Sequence, residues 1–142
     1  MLILNASGQK VEFKEKKGPI LGNYNLNKFY KTKDKIFIRK LENVYKILKK
    51  IKKTLPKEKA LIGFAGSPWT LLTYMINRGS PKKNINFLKN LKKKEATKII
   101  KRLEHLVYIH CKEQILAGAD TIQLFDSWAG LIKKKKLKRI LH

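Results

Sequence analysis

The stretch LIGFAGSPWTLLTYMI, Leu61 to Ile76, decides the fold, because it joins two patterns of different kind. The run ALIGFAG has strand length and no polar alternation, which is typical of a central parallel strand covered on both faces. The following SPWTLLTYMI predicts a helix, with Ser67 as its N-cap and Pro68 in the first helical position, where a missing N–H costs nothing. The stretch therefore predicts a strand, a glycine-containing loop and a helix.

The same sequence of events recurs further along the chain in TIQLFDSWAG, Thr121 to Gly130. Here too an apolar strand pattern ends in polar residues and a glycine-containing loop. A long helix, from about Lys94 to Leu116 and ended by Gly118, lies between the two units. Strand-to-loop units separated by helices predict βα repeats in a parallel sheet. Active-site residues of such folds lie at the C-terminal ends of the strands. GSPWT and DSWAG both follow a strand, so we expect them on the same rim of the sheet.

The remaining segments are predicted more coarsely. MLIL at the N-terminus is expected to be a short strand, followed by an arm in which Val11 and Phe13 alternate and Gly18-Pro19 makes a turn. Residues 23–34 are expected to be a polar linker. A helix over residues 38–55 carries its apolar residues at three- and four-residue steps, and a short helix is expected in NINFLKNL, residues 84–91.

Composition limits the classes of protein. The chain has 142 residues and a formal net charge of +24, and nearly all of that charge is lysine. A charge made up mostly of lysine, with only four arginines, favours a solvated surface over specific phosphate recognition, although a basic nucleic-acid or membrane-surface binder stays an alternative. No apolar run is long enough for a membrane span, and no signal-peptide pattern follows Met1. We therefore expect a cytoplasmic protein without specific nucleic-acid or membrane partners.

The segments GFAGSPWTLLTYMI and GADTIQLFDSWAG closely resemble the two most distinctive internal motifs of the uroporphyrinogen decarboxylase family. The spacing between them, a loop and a long helix, is also similar. The resemblance continues backwards through the helix at 38–55 and the arm GQKVEF…GPIL. It therefore predicts a barrel portion over residues 1–132 and leaves residues 133–142, KKKKLKRILH, as a basic tail that does not match. We interpret that tail as the product of truncation or of a shifted reading frame.

The resemblance implies an α/β fold, a partial (β/α)8 TIM barrel, and an enzyme of haem and tetrapyrrole synthesis. Such a carboxy-lyase removes carbon dioxide from the four acetate side chains of uroporphyrinogen III and gives coproporphyrinogen III. The family uses no metal or organic cofactor and is commonly homodimeric. The pyrrole itself is the electron sink, so the protein must bind carboxylates, face the pyrrole N–H groups with a carboxylate and exclude water.

Two substrate-binding residues follow from the resemblance. Tyr74 matches the tyrosine of the PWTL-x-x-Y element, and its phenol is expected to donate to a substrate carboxylate or to steady a neighbouring polar group. Ser127 matches the Ser/Thr of FDSWAG and is expected to bind a carboxylate. Phe64 and Phe125 at the strand ends are expected either to line the macrocycle pocket or to pack in the core. Asp126 is interpreted as a cap or an ion-pair partner rather than a proton donor.

The chain also departs from the family pattern. Complete decarboxylases are considerably longer, and their arginine pair, central aspartate and C-terminal histidine have no counterpart here, so no catalytic residue is assigned and His142 is not given that role. The isolated chain is expected to be inactive. A related barrel methyltransferase, which would bind zinc through spaced His and Cys residues, is the other alternative. His105, His110 and the single cysteine Cys111 do not form that ligand set.

Overall fold

The computed structural model describes residues 1–15, 18–81 and 91–131. The segment predicted as a short helix at 84–91 falls almost wholly outside these ranges, as does the tail at 133–142. The helices and strands follow in the order α1 (Leu2–Ala6), β1 (Val11–Lys14), β2 (Gly18–Leu21), α2 (Leu26–Lys31), α3 (Asp34–Lys40), α4 (Glu42–Thr54), β3 (Ile62–Gly66), α5 (Pro68–Asn77), α6 (Lys93–Leu116) and β4 (Thr121–Phe125), with a 3₁₀ turn at Ala129–Leu131.

The two strands predicted from the motifs pair side by side. β3 and β4 run parallel, in a register that places Ile62 opposite Thr121 and Gly66 opposite Phe125. The connection between them contains α5 and α6, as parallel pairing requires. The predicted βα organisation is confirmed, and the parallel register brings the C-terminal ends of both strands to one edge.

The expectation that these strands are covered on both faces is wrong for the described part of the chain. Gly63 and Ala65 are buried towards α6, whereas Ile62 and Phe64, which alternate with them, are 58% and 62% exposed. Phe125 on β4 is 50% exposed. α5 and α6 supply one covering layer, and the described residues supply no second layer over the other face.

The core is formed mostly by helices that pack around α6, beside the sheet. α5 begins as predicted: the Ser67 hydroxyl accepts a hydrogen bond from the Thr70 N–H at 3.1 Å, and Pro68 is the first helical residue. α6 ends before Gly118, whose φ of +106° favours glycine. The fully buried side chains of the core include Leu4, Phe37, Leu71, Leu72, Met75, Ile99, Leu103 and Leu106.

The buried face of α6 changes from apolar to polar residues towards the C-terminal end of the helix. Its apolar members, Ile99, Leu103 and Leu106, are followed at the same helical spacing by His110 and Gln114, which are 4% and 3% exposed. Buried polar groups require partners. The two side chains find them on other elements, because His110 meets Tyr45 of α4 and Gln114 meets the backbone of Phe64.

The N-terminal region differs from the sequence prediction. MLIL forms the beginning of helix α1 rather than a strand, with Ile3, Leu4 and Ala6 buried against the core. A short apolar run fits either structure, and its burial by neighbouring elements decides between them. Residues 23–34 are not a plain linker, because they contain α2, which is capped by Asn25 and buries Phe29.

The helix predicted over 38–55 is divided into α3 and α4. The break lies at Leu41, whose φ and ψ of −104° and 4° depart from helical values while its side chain stays buried. The division lets α3 place Phe37 and α4 place Tyr45 in the same core cluster. The apolar periodicity of the sequence continues across Leu41, so it could not indicate the break.

The predicted arm is a two-stranded antiparallel hairpin of β1 and β2. Gln9, just before β1, attaches it to the rest of the chain: its side-chain amide donates to the carbonyl of Gly22 at 2.9 Å and to that of Met75 at 3.0 Å. The N–H of Leu21 also donates to the carbonyl of Arg78. The arm is therefore fixed to the C-terminal half of α5.

Candidate functional site

The candidate site lies at the edge where β3 and β4 end. Because the strands are parallel and in register, the residues that follow them, Ser67 and Asp126, are neighbours. The Ser67 N–H donates to the carbonyl of Phe125 at 2.8 Å, which extends the sheet pairing by one residue. The expectation that GSPWT and DSWAG share one rim is confirmed.

The Asp126 carboxylate links the two loops through side chains. Its Oδ1 accepts from the Ser67 hydroxyl at 2.7 Å and from the Thr70 hydroxyl at 2.9 Å. Both donors belong to the beginning of α5, where the backbone dipoles favour negative charge. Within the described ranges the Asp126 side chain bonds to two hydroxyls, so this geometry shows neither the cap nor the ion pair expected of it, and the sequence patterns did not indicate Ser67 and Thr70 as its partners. The parallel register of the two motifs is the signal that could have revealed them.

The two tryptophans of the motifs form a second link beneath the rim. Trp69 is 9% exposed, and its Nε1 donates to the carbonyl of Trp128 at 3.0 Å. Trp128 packs against the core cluster. Since Trp128 follows Ser127 directly, this bond fixes the backbone on one side of the predicted substrate-binding serine.

Tyr74 lies two turns along α5 from the rim loop and is half-buried. Its ring packs edge-on against that of Trp128, with 6.1 Å between centroids and 62° between planes. The phenol oxygen lies 3.3 Å from Oγ of Ser80. The fold therefore brings Tyr74 into contact with the residue that follows Ser127, and the substrate contacts of both remain predictions.

Ser127 itself is exposed and makes no side-chain hydrogen bond within the described ranges. Its neighbours on both sides are fixed, Asp126 through its carboxylate and Trp128 through its carbonyl. The backbone N–H of Ala129 also donates to the carbonyl of Asp126 at 3.2 Å. An exposed hydroxyl on an anchored loop is well placed to form a hydrogen bond with a ligand.

Phe64 and Phe125 lie on the exposed face of the sheet, next to the rim. Their rings meet edge-on with 6.1 Å between centroids. The core-packing alternative is therefore wrong for both residues in the described part of the chain, since each exposes half or more of its surface. Together they form an apolar surface that begins where the polar rim ends.

His105, His110 and Cys111 lie away from this rim, on the long helix α6. Nε2 of His105 is 2.9 Å from the carboxylate of Asp34, and Nδ1 of His110 is 3.0 Å from the hydroxyl of Tyr45. Burial lowers the pKa of His110 to about 4, and burial raises the pKa of the Cys111 thiol. The described residues include no group of three His, Cys, Asp or Glu side chains placed to hold a metal ion. None of the helices in the same ranges is long and apolar enough to span a bilayer.

Known proteins of one family match the chain. A family model described as Uroporphyrinogen decarboxylase (URO-D) matches residues 1–142. A uroporphyrinogen decarboxylase of Rickettsia bellii is 37% identical over 144 residues, which cover 99% of this chain and 42% of the relative. One of Campylobacter jejuni is 40% identical over 134 residues, which cover 91% of this chain and 39% of the relative.

The chain spans about two-fifths of the length of these curated relatives. The family match runs through residue 142 and so includes residues 133–142, which the motifs alone set apart. The boundary at residue 132 and the shifted reading frame stay predictions, because the tail lies outside the described ranges.

Proposed function

Because the chain belongs to the uroporphyrinogen decarboxylase family, we propose that it forms part of a (β/α)8 barrel that decarboxylates uroporphyrinogen III. The reaction removes the four acetate carboxyl groups as carbon dioxide and leaves methyl groups, giving coproporphyrinogen III. Protonation of the ring carbon that bears the acetate makes the pyrrole an electron sink for the departing carboxylate. The protein has to hold the anionic side chains and shield the ring from water.

One observation carries the proposal: the two motif loops meet at the C-terminal edge of the parallel strands, where barrel enzymes carry out their chemistry. At this edge the hydroxyls of Tyr74 and Ser127 are the proposed donors to substrate carboxylates. A hydroxyl that donates to a charged acceptor contributes about 1.5–3 kcal/mol. The two residues thus orient a side chain of the macrocycle.

The apolar pair Phe64 and Phe125 supports the same assignment. Their exposed rings lie directly below the polar loops and offer a surface against which a pyrrole ring can pack. Apolar walls beside a few placed polar groups are typical of sites for small organic ligands. We assign these two rings to the wall of the macrocycle site.

The formal charge of +24 is favourable for this substrate. Uroporphyrinogen carries a carboxylate on each acetate and propionate side chain, and a strongly cationic protein attracts such a polyanion over long range. We further propose that the protein works in the cytoplasm, without a metal or organic cofactor and as a homodimer, as the family resemblance implies.

The test uses a chimera, in which this chain replaces the matching segment of a complete decarboxylase such as the Rickettsia bellii relative. We expect the chimera to convert uroporphyrinogen to coproporphyrinogen without added metal, and the 142-residue chain by itself to be inactive. A chimera that folds but yields no coproporphyrinogen, beside an active parent enzyme, contradicts the proposal. Corrinoid-dependent methyl transfer by the chimera would instead favour the methyltransferase alternative.

A further inference from the structure

The link made by Asp126 joins two segments that are far apart in sequence. Oδ1 of its carboxylate accepts from two hydroxyls, Ser67 at 2.7 Å and Thr70 at 2.9 Å. The same Ser67 hydroxyl accepts from the Thr70 N–H and so caps α5. The carboxylate, the cap and the first turn of α5 therefore form one hydrogen-bonded unit.

This unit determines where Ser127 lies. Ser127 is held between Asp126, which is fixed by its side chain, and Trp128, whose carbonyl accepts from Trp69 Nε1 at 3.0 Å. The carbonyl of Asp126 accepts from the N–H of Ala129 and closes the turn. Removal of the Asp126 carboxylate would leave the strand side of the turn with only the backbone bond from Ser67 to Phe125, while the Trp128 side stayed bound.

We infer that Asp126 is a positioning residue, which places the Ser127 hydroxyl for a substrate carboxylate and does not itself transfer a proton. The inference rests on the proposed function. Its geometric basis is that Oδ1 already serves two hydroxyl donors at the N-terminal end of a helix, an environment that suits an acceptor. A positioning residue acts through Ser127, so its effect must depend on Ser127 being present.

The first test is a double-mutant cycle in the chimera. We expect Asp126→Ala to lower kcat/KM about 10- to 100-fold, and to cause little further loss when Ser127→Ala is already present. Asp126→Asn should recover most of the loss, because its amide oxygen can accept from the same two hydroxyls. Glu104→Gln, which removes one negative charge from an exposed position on α6, is the matched control and should be neutral. Additive losses, or an Asn variant as impaired as the Ala variant, would overturn the inference.

The second test uses the 142-residue chain, so it does not depend on an active chimera. An inactive unaltered chimera would contradict the proposed function, whereas this test decides the inference about Asp126. Amide exchange is measured at Ala129 and Thr70, whose N–H groups bond to the Asp126 carbonyl and the Ser67 hydroxyl. We expect Asp126→Ala to accelerate exchange at both by about 10-fold or more and Asp126→Asn to preserve protection.

Amides in the middle of α6, such as that of Leu106, report whether the fold has survived. If Asp126→Ala unfolds the chain, Thr70→Val replaces it, since that variant removes one of the two donors with little change of shape. It should accelerate exchange at Ala129 to a smaller extent. Unchanged exchange at Ala129 and Thr70 in a folded Asp126→Ala variant, or at Ala129 in Thr70→Val, would overturn the inference.

Discussion

The side-chain amide of Gln114 on α6 bonds both backbone groups of Phe64 in the middle of β3. Its Oε1 accepts from the Phe64 N–H at 3.0 Å, and its Nε2 donates to the Phe64 carbonyl at 3.1 Å. Gln114 is 3% exposed, so this pairing occurs inside the molecule. One side chain thus satisfies two strand groups in the manner of a neighbouring strand and fastens the helix to the sheet.

Gln114→Leu is expected to destabilise the chain. The leucine fills a similar volume but leaves the N–H and carbonyl of Phe64 without their partner, which costs about 2–4 kcal/mol. The loss is measured as the free energy of unfolding in urea. Gln123→Leu is the matched control, because Gln123 is exposed on β4 and bonds only to the adjacent Leu124 carbonyl. Equal stability of the two variants would show that the Gln114 pairing contributes nothing.

Replacement of Gly63 in the GFAG motif by alanine is expected to force neighbouring side chains to move. A Cβ there would lie 2.7 Å from Cδ1 of Ile122 and 2.9 Å from Oε1 of Gln114, which is closer than real contacts allow. Gly63→Ala should therefore push Gln114 from Phe64 and destabilise the chain by about 1–3 kcal/mol. The measurement is again urea unfolding.

Gly66 of the same motif provides the control for Gly63. A Cβ on Gly66 would meet Leu71 at 3.4 Å or more, which is ordinary van der Waals contact. Gly66→Ala should consequently change the free energy of unfolding by less than about 1 kcal/mol. If both alanine variants behaved alike, the requirement for glycine at residue 63 would not come from contact with Gln114.

The βα organisation could be predicted from sequence because its signals are local. Ser67 and Pro68 begin a helix through their own chemistry, and Gly118 ends one through its backbone conformation. The break at Leu41 and the helix of MLIL could not be predicted, because the same apolar residues fit several structures until neighbouring elements choose which side is buried. Local sequence patterns were therefore sufficient to predict β3, α5, α6 and β4, which position the site.

The site could be predicted only as far as its motifs reach. The motifs indicated Tyr74 and Ser127, and the parallel pairing of the strands implied that the loops after β3 and β4 meet. The partners of Asp126 depend on contacts across 56 and 59 residues of sequence. Likewise, nothing in the sequence around Gln114 indicated that its side chain would bond to the backbone of a strand.

His110 makes stability depend on pH. Burial lowers its pKa from 6.5 to about 4, with a contribution from the nearby N-terminal ammonium group of Met1, and its Nδ1 contacts the Tyr45 hydroxyl. The fold therefore holds the neutral imidazole, whereas the unfolded chain binds a proton below pH 6.5. Stability should be complete above that pH and decline as the pH falls towards 4, by on the order of 3 kcal/mol in total.

The pH effect is isolated by comparing the chain with His110→Gln, which keeps a polar side chain beside Tyr45 but cannot be protonated. The difference in unfolding free energy between the two proteins should narrow steadily from pH 7 to pH 4. The partners of Asp34 and Asp120 lower the pKa values of these carboxyls below the usual 3.8, so both also lose stabilisation near the acid end of this window. They do so in both proteins alike, and their contribution cancels in the difference. A difference independent of pH would mean that His110 titrates alike in the folded and unfolded chain.

Tyr74→Phe tests the first proposed substrate contact. In the chimera the variant should lose about 10- to 150-fold in kcat/KM, equivalent to one hydrogen bond to a charged group. The ring contact with Trp128 remains, so the fold should be unaffected. Tyr108→Phe, on the exposed surface of α6, is the matched control and should retain parental kinetics. Parental kinetics in Tyr74→Phe as well would remove the phenol from the site.

Ser127→Ala tests the proposed contact between Ser127 and a substrate carboxylate. It also separates an effect on substrate binding from an effect on folding. Since the Ser127 hydroxyl is exposed and bonds to nothing else in the described ranges, its removal should leave the urea midpoint of the 142-residue chain unchanged. In the chimera, however, it should lower kcat/KM by about 10- to 150-fold, because a substrate carboxylate loses its donor. Ser127→Thr keeps the hydroxyl and should restore most of the activity. If Ala and Thr variants were equally active, or if Ala lowered stability as much as activity, Ser127 would be a structural residue of the loop and not a ligand of the substrate.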